Sequence, residues 1–153
     1  MMAGIKGKNT TPELFLRRAL HAQGFRYRLG GCGLPGKPDL VFPGRRVVIF
    51  VHGCFWHRHE CKYFKWPGTN TQFWRDKLDA NAHRDQLVAG ELKKLGWTVI
   101  VVWECELTRA SSVMAAKRVE LVSRALSGSY GTIPDHEMLA SELPYGGRSP
   151  FLD

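Results

Sequence analysis

The stretch Val47-Val48-Ile49-Phe50-Val51-His52-Gly53-Cys54-Phe55-Trp56-His57-Arg58-His59-Glu60-Cys61 sets the tightest limit on what this chain can become. It begins as an apolar run of β-branched and aromatic residues, the make-up of a buried strand. It ends in three histidines and two cysteines, with an aromatic pair between them. A strand that delivers so many ligand-type side chains to its own end is expected to assemble a metal-dependent chemistry there, not only to pack.

The remaining pattern supplies a frame for that strand. Thr10-x-x-Glu13 has the form of a capping box, Pro12 suits a first turn, and Leu16, Ala19, Leu20 and Gln23 share a helical face that Gly24 closes. Phe25–Leu29 alternates and reads as a strand with a basic outer face. Asp39–Phe42 is a second short strand, and Pro43-Gly44 turns it into the long one as a hairpin. A long helix is expected from about Gln72 to Leu95, with Trp74, Leu78, Leu87, Leu92 and Leu95 on its apolar face. Trp97–Trp103 is a strand buried on both sides, and a last helix spans Ser112 to Leu126. The order gives an α/β fold, a mixed β-sheet flanked by helices. Residues 1–127 form one domain, and 128–153, rich in Gly, Pro and Ser, a loosely structured C-terminal tail.

The chain has 153 residues and a formal net charge of +8, which points to a polyanionic partner, nucleic acid first. No run approaches the roughly 18 apolar residues of a spanning helix, so no membrane role is expected. The start, Met1-Met2-Ala3-Gly4-Ile5-Lys6, lacks the apolar core of a secretory signal, so a cytoplasmic location with reduced thiols is expected. The four cysteines are then ligands or buried thiols rather than disulfides.

Cys54-x4-His59-x-Cys61 places three ligands in one loop, and Cys105 stands just past the buried strand. Four N and S donors suit tetrahedral Zn²⁺ in a closed, structural site. His52 and His57 are left over for acid–base work near neutral pH. Asp39 opens the strand beside Val51, where a carboxylate and the Val51 carbonyl could serve a hard cation such as Mg²⁺. Pro38-Asp39 followed by a strand is also the first half of the Pro-Asp…(Asp/Glu)-x-Lys nuclease motif. Its second half reads Phe50-Val51-His52, with histidine in the lysine position.

On these residues the chain resembles the very-short-patch repair (Vsr) DNA mismatch endonuclease family. The matching segments are Lys8-Asn9-Thr10-x2-Glu13, Leu34–Asp39, Val48–His57, Phe73-Trp74, Asn81-x2-Arg84-Asp85, and Gly96-Trp97 through Cys105. The resemblance implies a restriction-endonuclease-like fold with a structural zinc site at Cys54, His59, Cys61 and Cys105. It implies Mg²⁺ at Asp39 and the Val51 carbonyl, His57 as general base, His52 assisting at the phosphate, and Glu13 in an outer, water-holding position. Phe55, Trp56 and Trp74 would be wedges in the DNA stack, with Met2 where an intercalating methionine is expected. The implied reaction is Mg²⁺-dependent nicking of double-stranded DNA at T:G mismatches, by a monomer, with mismatch-repair proteins as candidate partners. Two departures stand out: Val51 replaces a threonine, and the N-terminus is shorter than the family pattern. A zinc-stapled DNA-binding protein that does not cut, or a nuclease with a different DNA target, is the alternative. Arg26, Arg28, Arg45, Arg46, Arg58, Lys62 and Lys65 are candidates to track phosphates.

Overall fold

A computed structural model describes residues 8–128. Met2 and the expected tail lie outside them. The order is α1 (Thr11–Ala22), β1 (Leu40–Phe42), β2 (Val47–His52), α2 (Thr71–Lys94), β3 (Thr98–Trp103), α3 (Glu104–Leu107) and α4 (Ser112–Leu126). β1 and β2 form the expected antiparallel hairpin, with Leu40 opposite Ile49 and Phe42 opposite Val47. β2 runs parallel to β3, from Val47 opposite Thr98 to His52 opposite Trp103. The sheet is therefore mixed, in the order β1-β2-β3.

Alternation along the strands sorts the core into two layers. Leu40, Phe42, Val47, Ile49, Ile100 and Val102 pack with Leu16 and Leu20 of α1 and Val119 and Val122 of α4. Val41, Val48, Phe50, Val101 and Trp103 face the other way, with Leu92 of α2 and with Cys54, Cys61 and Cys105. Both faces of β3 are covered, which is why its run is almost continuously apolar. By the same parity Asp39 and His52 lie on the α2 side, together with Val41 and Phe50.

Local chemistry accounts for the ends of the elements. The Thr10 hydroxyl accepts the Glu13 N–H at the start of α1, and Gly24 follows its end at φ +95°, a conformation that favours glycine. Ser111 accepts the Met114 N–H and starts α4 where the sequence places it. Arg45 and Arg46, at the hairpin turn, donate to the carbonyls of Leu126 and Leu95 at 2.5 and 2.8 Å. They tie the turn to the C-terminal ends of α4 and α2.

Two expectations fail. Phe25–Leu29 is not a strand: only Arg28 bridges Val41, through N–H···O bonds of 2.8 and 3.0 Å. The glycines at 30 and 31, both at positive φ, turn the chain away before a ladder can extend. Leu87 and Leu95 are 55% and 52% exposed, so the buried face of α2 is Leu78, Ala89 and Leu92. At 3.6 residues per turn Leu87 falls half a turn round from Leu78, and Leu95 caps the end of the helix.

Candidate active site and metal centre

Two side-chain clusters grow from the C-terminal end of β2. The first is Cys54, His59, Cys61 and Cys105, whose ligand atoms all lie within 4.8 Å of one another. A tetrahedral zinc site with bonds of about 2.3 Å has edges of roughly 3.8 Å, so the set fits one such ion. The Cys105 Sγ to His59 Nδ1 distance of 3.6 Å is already an edge of that length. The loop is wound by its own backbone: the His59 N–H donates to the Cys54 carbonyl at 2.8 Å, and the Cys61 N–H to the His59 carbonyl at 2.8 Å. α3 starts directly after β3 and carries Cys105 into the cluster. The His59 ring stacks on Trp103 at 4.2 Å between centroids, which orients Nδ1. All three cysteines are free and buried. The Cys105 thiol beside Cys54 holds the latter down at about 4, the thiolate form that a metal takes. Cys105 is pushed up in turn by that neighbouring thiolate and by burial. The donor set is consistent with zinc.

The second cluster lines an open cleft of about 470 Å³ whose walls include Glu13, Asp39, His52, His57 and Asp85. Four of these were singled out from sequence, and the fold brings them together from α1, the start of β1, the end of β2 and the loop after it. Asp39 accepts the Val51 N–H at 2.7 Å through Oδ2, a contact made by the amide and not by the carbonyl assigned to the cation. Burial pushes the Asp39 carboxyl up; the Val51 N–H, Arg17 and His57 oppose it. A carboxylate is one of the oxygen ligands that a hard cation takes.

His52 and His57 stack at 3.7 Å with their rings 4° apart. Lone pairs in parallel planes do not converge, so although these two and Asp85 stand close enough to share an ion, the stack argues against one. The stack instead fixes His57 over the buried His52. Asp85 supplies the missing partner: His57 Nδ1–H donates to its Oδ2 at 2.6 Å. That bond leaves Nε2 as the basic nitrogen. Asp85 had no role assigned from sequence. The signal available was its helical spacing from Asn81, whose Nδ2 donates to the Trp56 carbonyl at 3.0 Å and ties the same loop to α2.

Phe55, Trp56 and Trp74 meet in one aromatic cluster, with centroids 5.3, 5.4 and 6.0 Å apart. All three are half-buried. Phe73, next to Trp74, is 58% exposed and extends the surface. Arg58 is paired with Asp79 and Glu60. The cations that do line the cleft are Lys8, Arg17, Lys37 and Arg84. No helix among the described residues is long and apolar enough to cross a membrane.

Comparison with known proteins places the chain among DNA-cutting enzymes of one family. The family profile described as DNA mismatch endonuclease Vsr matches residues 1–63. A type II nicking enzyme of Xanthomonas oryzae pv. oryzae, V.XorIIP, is 46% identical over 118 residues, covering 77% of this chain and 87% of that protein. The type II nicking enzyme V.NmeAIP of Neisseria meningitidis is 47% identical over 107 residues, 70% of this chain and 76% of its own length. The DNA mismatch endonuclease Vsr of Escherichia coli is 45% identical over 106 residues, 69% of this chain and 68% of its own.

Proposed function

This chain belongs to the Vsr family of DNA mismatch endonucleases, and on that footing we propose that it nicks one strand of double-stranded DNA at a T:G mismatch by Mg²⁺-dependent hydrolysis. The observation that carries the reading is the convergence of Asp39, His52 and His57 on one open cleft, with Asp85 behind His57. Asp39 and the Val51 main chain would hold the magnesium ion, which when bound neutralises the phosphate and the leaving oxygen. His57 takes the proton of the attacking water at Nε2, because Asp85 holds the proton on Nδ1 and stabilises the imidazolium that forms. His52, stacked beneath, keeps that ring in one plane and stands on the same sheet face as Asp39.

The zinc-type cluster would serve the same end indirectly. It closes the loop 54–61, and that loop carries Phe55, Trp56 and His57. The aromatic cluster then offers wedges that open a mismatched step at less unstacking cost than a paired one. A restriction-endonuclease-like fold is the architecture this reading implies for the three described strands and their helices. A second reading, strand nicking at a different DNA site, is favoured by the names of two of the relatives above, both type II nicking enzymes.

End-labelled duplexes carrying each mismatch, with a paired control, decide between these readings when incubated with and without Mg²⁺. Mg²⁺-dependent nicking confined to one strand of the T:G duplex is expected. Equal nicking of the fully paired duplex would remove the mismatch from the reading. Asp39→Ala should abolish cutting while zinc content stays unchanged, and undiminished cutting would reject the assigned metal position.

A further inference from the structure

Glu13 raises a question that helix capping does not answer. In a capping box its carboxylate would return to the Thr10 N–H. Here Oε2 accepts the Asn9 N–H at 3.0 Å, one residue further out. Oε1 accepts from the Arg17 guanidinium, one helical turn along. The other arm of the same guanidinium donates to Asn9 Oδ1 at 2.7 Å. Asn9 sits at φ +56°, a left-handed conformation held by these two bonds. Tyr27 donates from its hydroxyl to the Arg17 carbonyl at 3.2 Å. Glu13 is buried and the Arg17 side chain is 12% exposed. A buried ion pair is a poor source of stability compared with apolar packing, so its use at the edge of a reactive cleft points to orientation.

We propose that Arg17 is a positioning residue of the cleft: its guanidinium fork clamps Glu13 and Asn9 together, fixing the direction of the Glu13 carboxylate and the point where the N-terminal arm leaves α1. The fork geometry matters. One plane of N–H donors reaches a carboxylate and an amide oxygen at once, which the single ammonium of lysine does less well. With both oxygens held by protein donors, Glu13 enters the site as an oriented outer carboxylate rather than as a direct ligand. Arg17 also lies close enough to Asp39 to counter its charge. The clamp therefore links the backbone at Asn9, just ahead of α1, to the cleft where the phosphate would be cut. This inference rests on the proposed nuclease reading for the site's purpose, but not for its geometry.

The test uses the zinc-loaded full chain and the variants Arg17→Met, Arg17→Lys, Glu13→Gln, and Arg17→Met with Glu13→Gln. Single-turnover nicking of the T:G duplex is measured at saturating DNA and Mg²⁺, and duplex Kd without Mg²⁺. Arg17→Met is expected to slow nicking by about 10- to 100-fold, with Kd changed by no more than about twofold. Arg17→Lys should recover part of the rate. In the Glu13→Gln background Arg17→Met should cost nothing further. A loss that multiplies undiminished onto Glu13→Gln, or one carried by Kd alone, overturns the proposal. Amide exchange at Asn9, followed by NMR, needs no substrate: it should speed up about tenfold or more in Arg17→Met and in Glu13→Gln. Unchanged Asn9 exchange in Arg17→Met also overturns the clamp. A wild-type chain that cuts no T:G duplex defeats the mismatch reading alone, and the exchange result still judges the clamp.

Discussion

The two clusters at the end of β2 stand side by side and differ in almost every physical respect. Cys54, His59, Cys61 and Cys105 are soft or borderline donors, buried, and close enough together to share one ion. Glu13, Asp39, His57 and Asp85 are hard or borderline donors around an open cleft. Three of the four soft ligands come from one loop of eight residues, 54–61, whereas the cleft draws on both ends of the hairpin, on α1 and on α2. The first is suited to bracing, because a full ligand shell leaves no position for a substrate. The second is suited to reaction, because it keeps open space beside a histidine whose Nδ1 is engaged by a carboxylate. His57 belongs to both: the first cluster holds its loop and the second uses its ring.

That division breaks most sharply at Cys105. Cys105→Ala should lower zinc content and stability together, by roughly 3 kcal/mol or more, since metal binding at such a site is folding free energy. Metal analysis and a thermal melt check it; a fully metallated, equally stable variant would dissolve the contrast. His57→Ala acts on the other side. It should slow nicking about 10²- to 10⁴-fold with zinc content intact. Asp85→Asn is milder, about 10- to 100-fold, because it removes the orienting carboxylate and leaves the base. A single-turnover rate for Asp85→Asn equal to wild type would mean that the Asp85–His57 bond has no part in the chemistry.

The same contrast explains what the sequence disclosed. The hairpin, the long helix and α4 were legible because each is written in adjacent residues with a clear period. The soft cluster was legible for a similar reason: Cys54, His59 and Cys61 are close in the chain, and Cys105 ends a recognisable buried strand. Asp39 was found through its place at a strand start. Asp85 stood in a segment matched by the resemblance but received no role, because its partner His57 lies 28 residues away in the chain. Arg17 was hidden in the same manner, one turn beyond a glutamate already explained as a cap. Phe25–Leu29 failed for the opposite reason: its alternation was local, but a strand also needs a partner long enough to pair with, and only Val41 is in reach. Arg45 and Arg46 are exposed cations, as expected, and each also reaches the carbonyl at a helix end that lies far off in the chain.

The smallest expected effect separates the clusters by sign. Burial lifts the Asp39 carboxyl above its ordinary value. A group raised in the folded state contributes its stability below the unfolded value and loses it as pH rises through the folded one. Without a cation, therefore, the ionised Asp39 is a net cost at pH 8. Asn at this position keeps an oxygen to accept the Val51 N–H and carries no charge. Asp39→Asn should then stabilise the zinc-loaded, Mg²⁺-free protein by about 1 kcal/mol at pH 8, with the gain fading toward acid pH. The equivalent exchange in the soft cluster, Cys105→Ser, should destabilise at the same pH, because there a bound metal ion would meet the charge. Denaturant melts of both variants across pH measure it. A less stable Asp39→Asn at pH 8 would mean that Arg17 and the Val51 N–H already outweigh the burial of Asp39, leaving the cleft as well balanced without its cation as the closed site is with one.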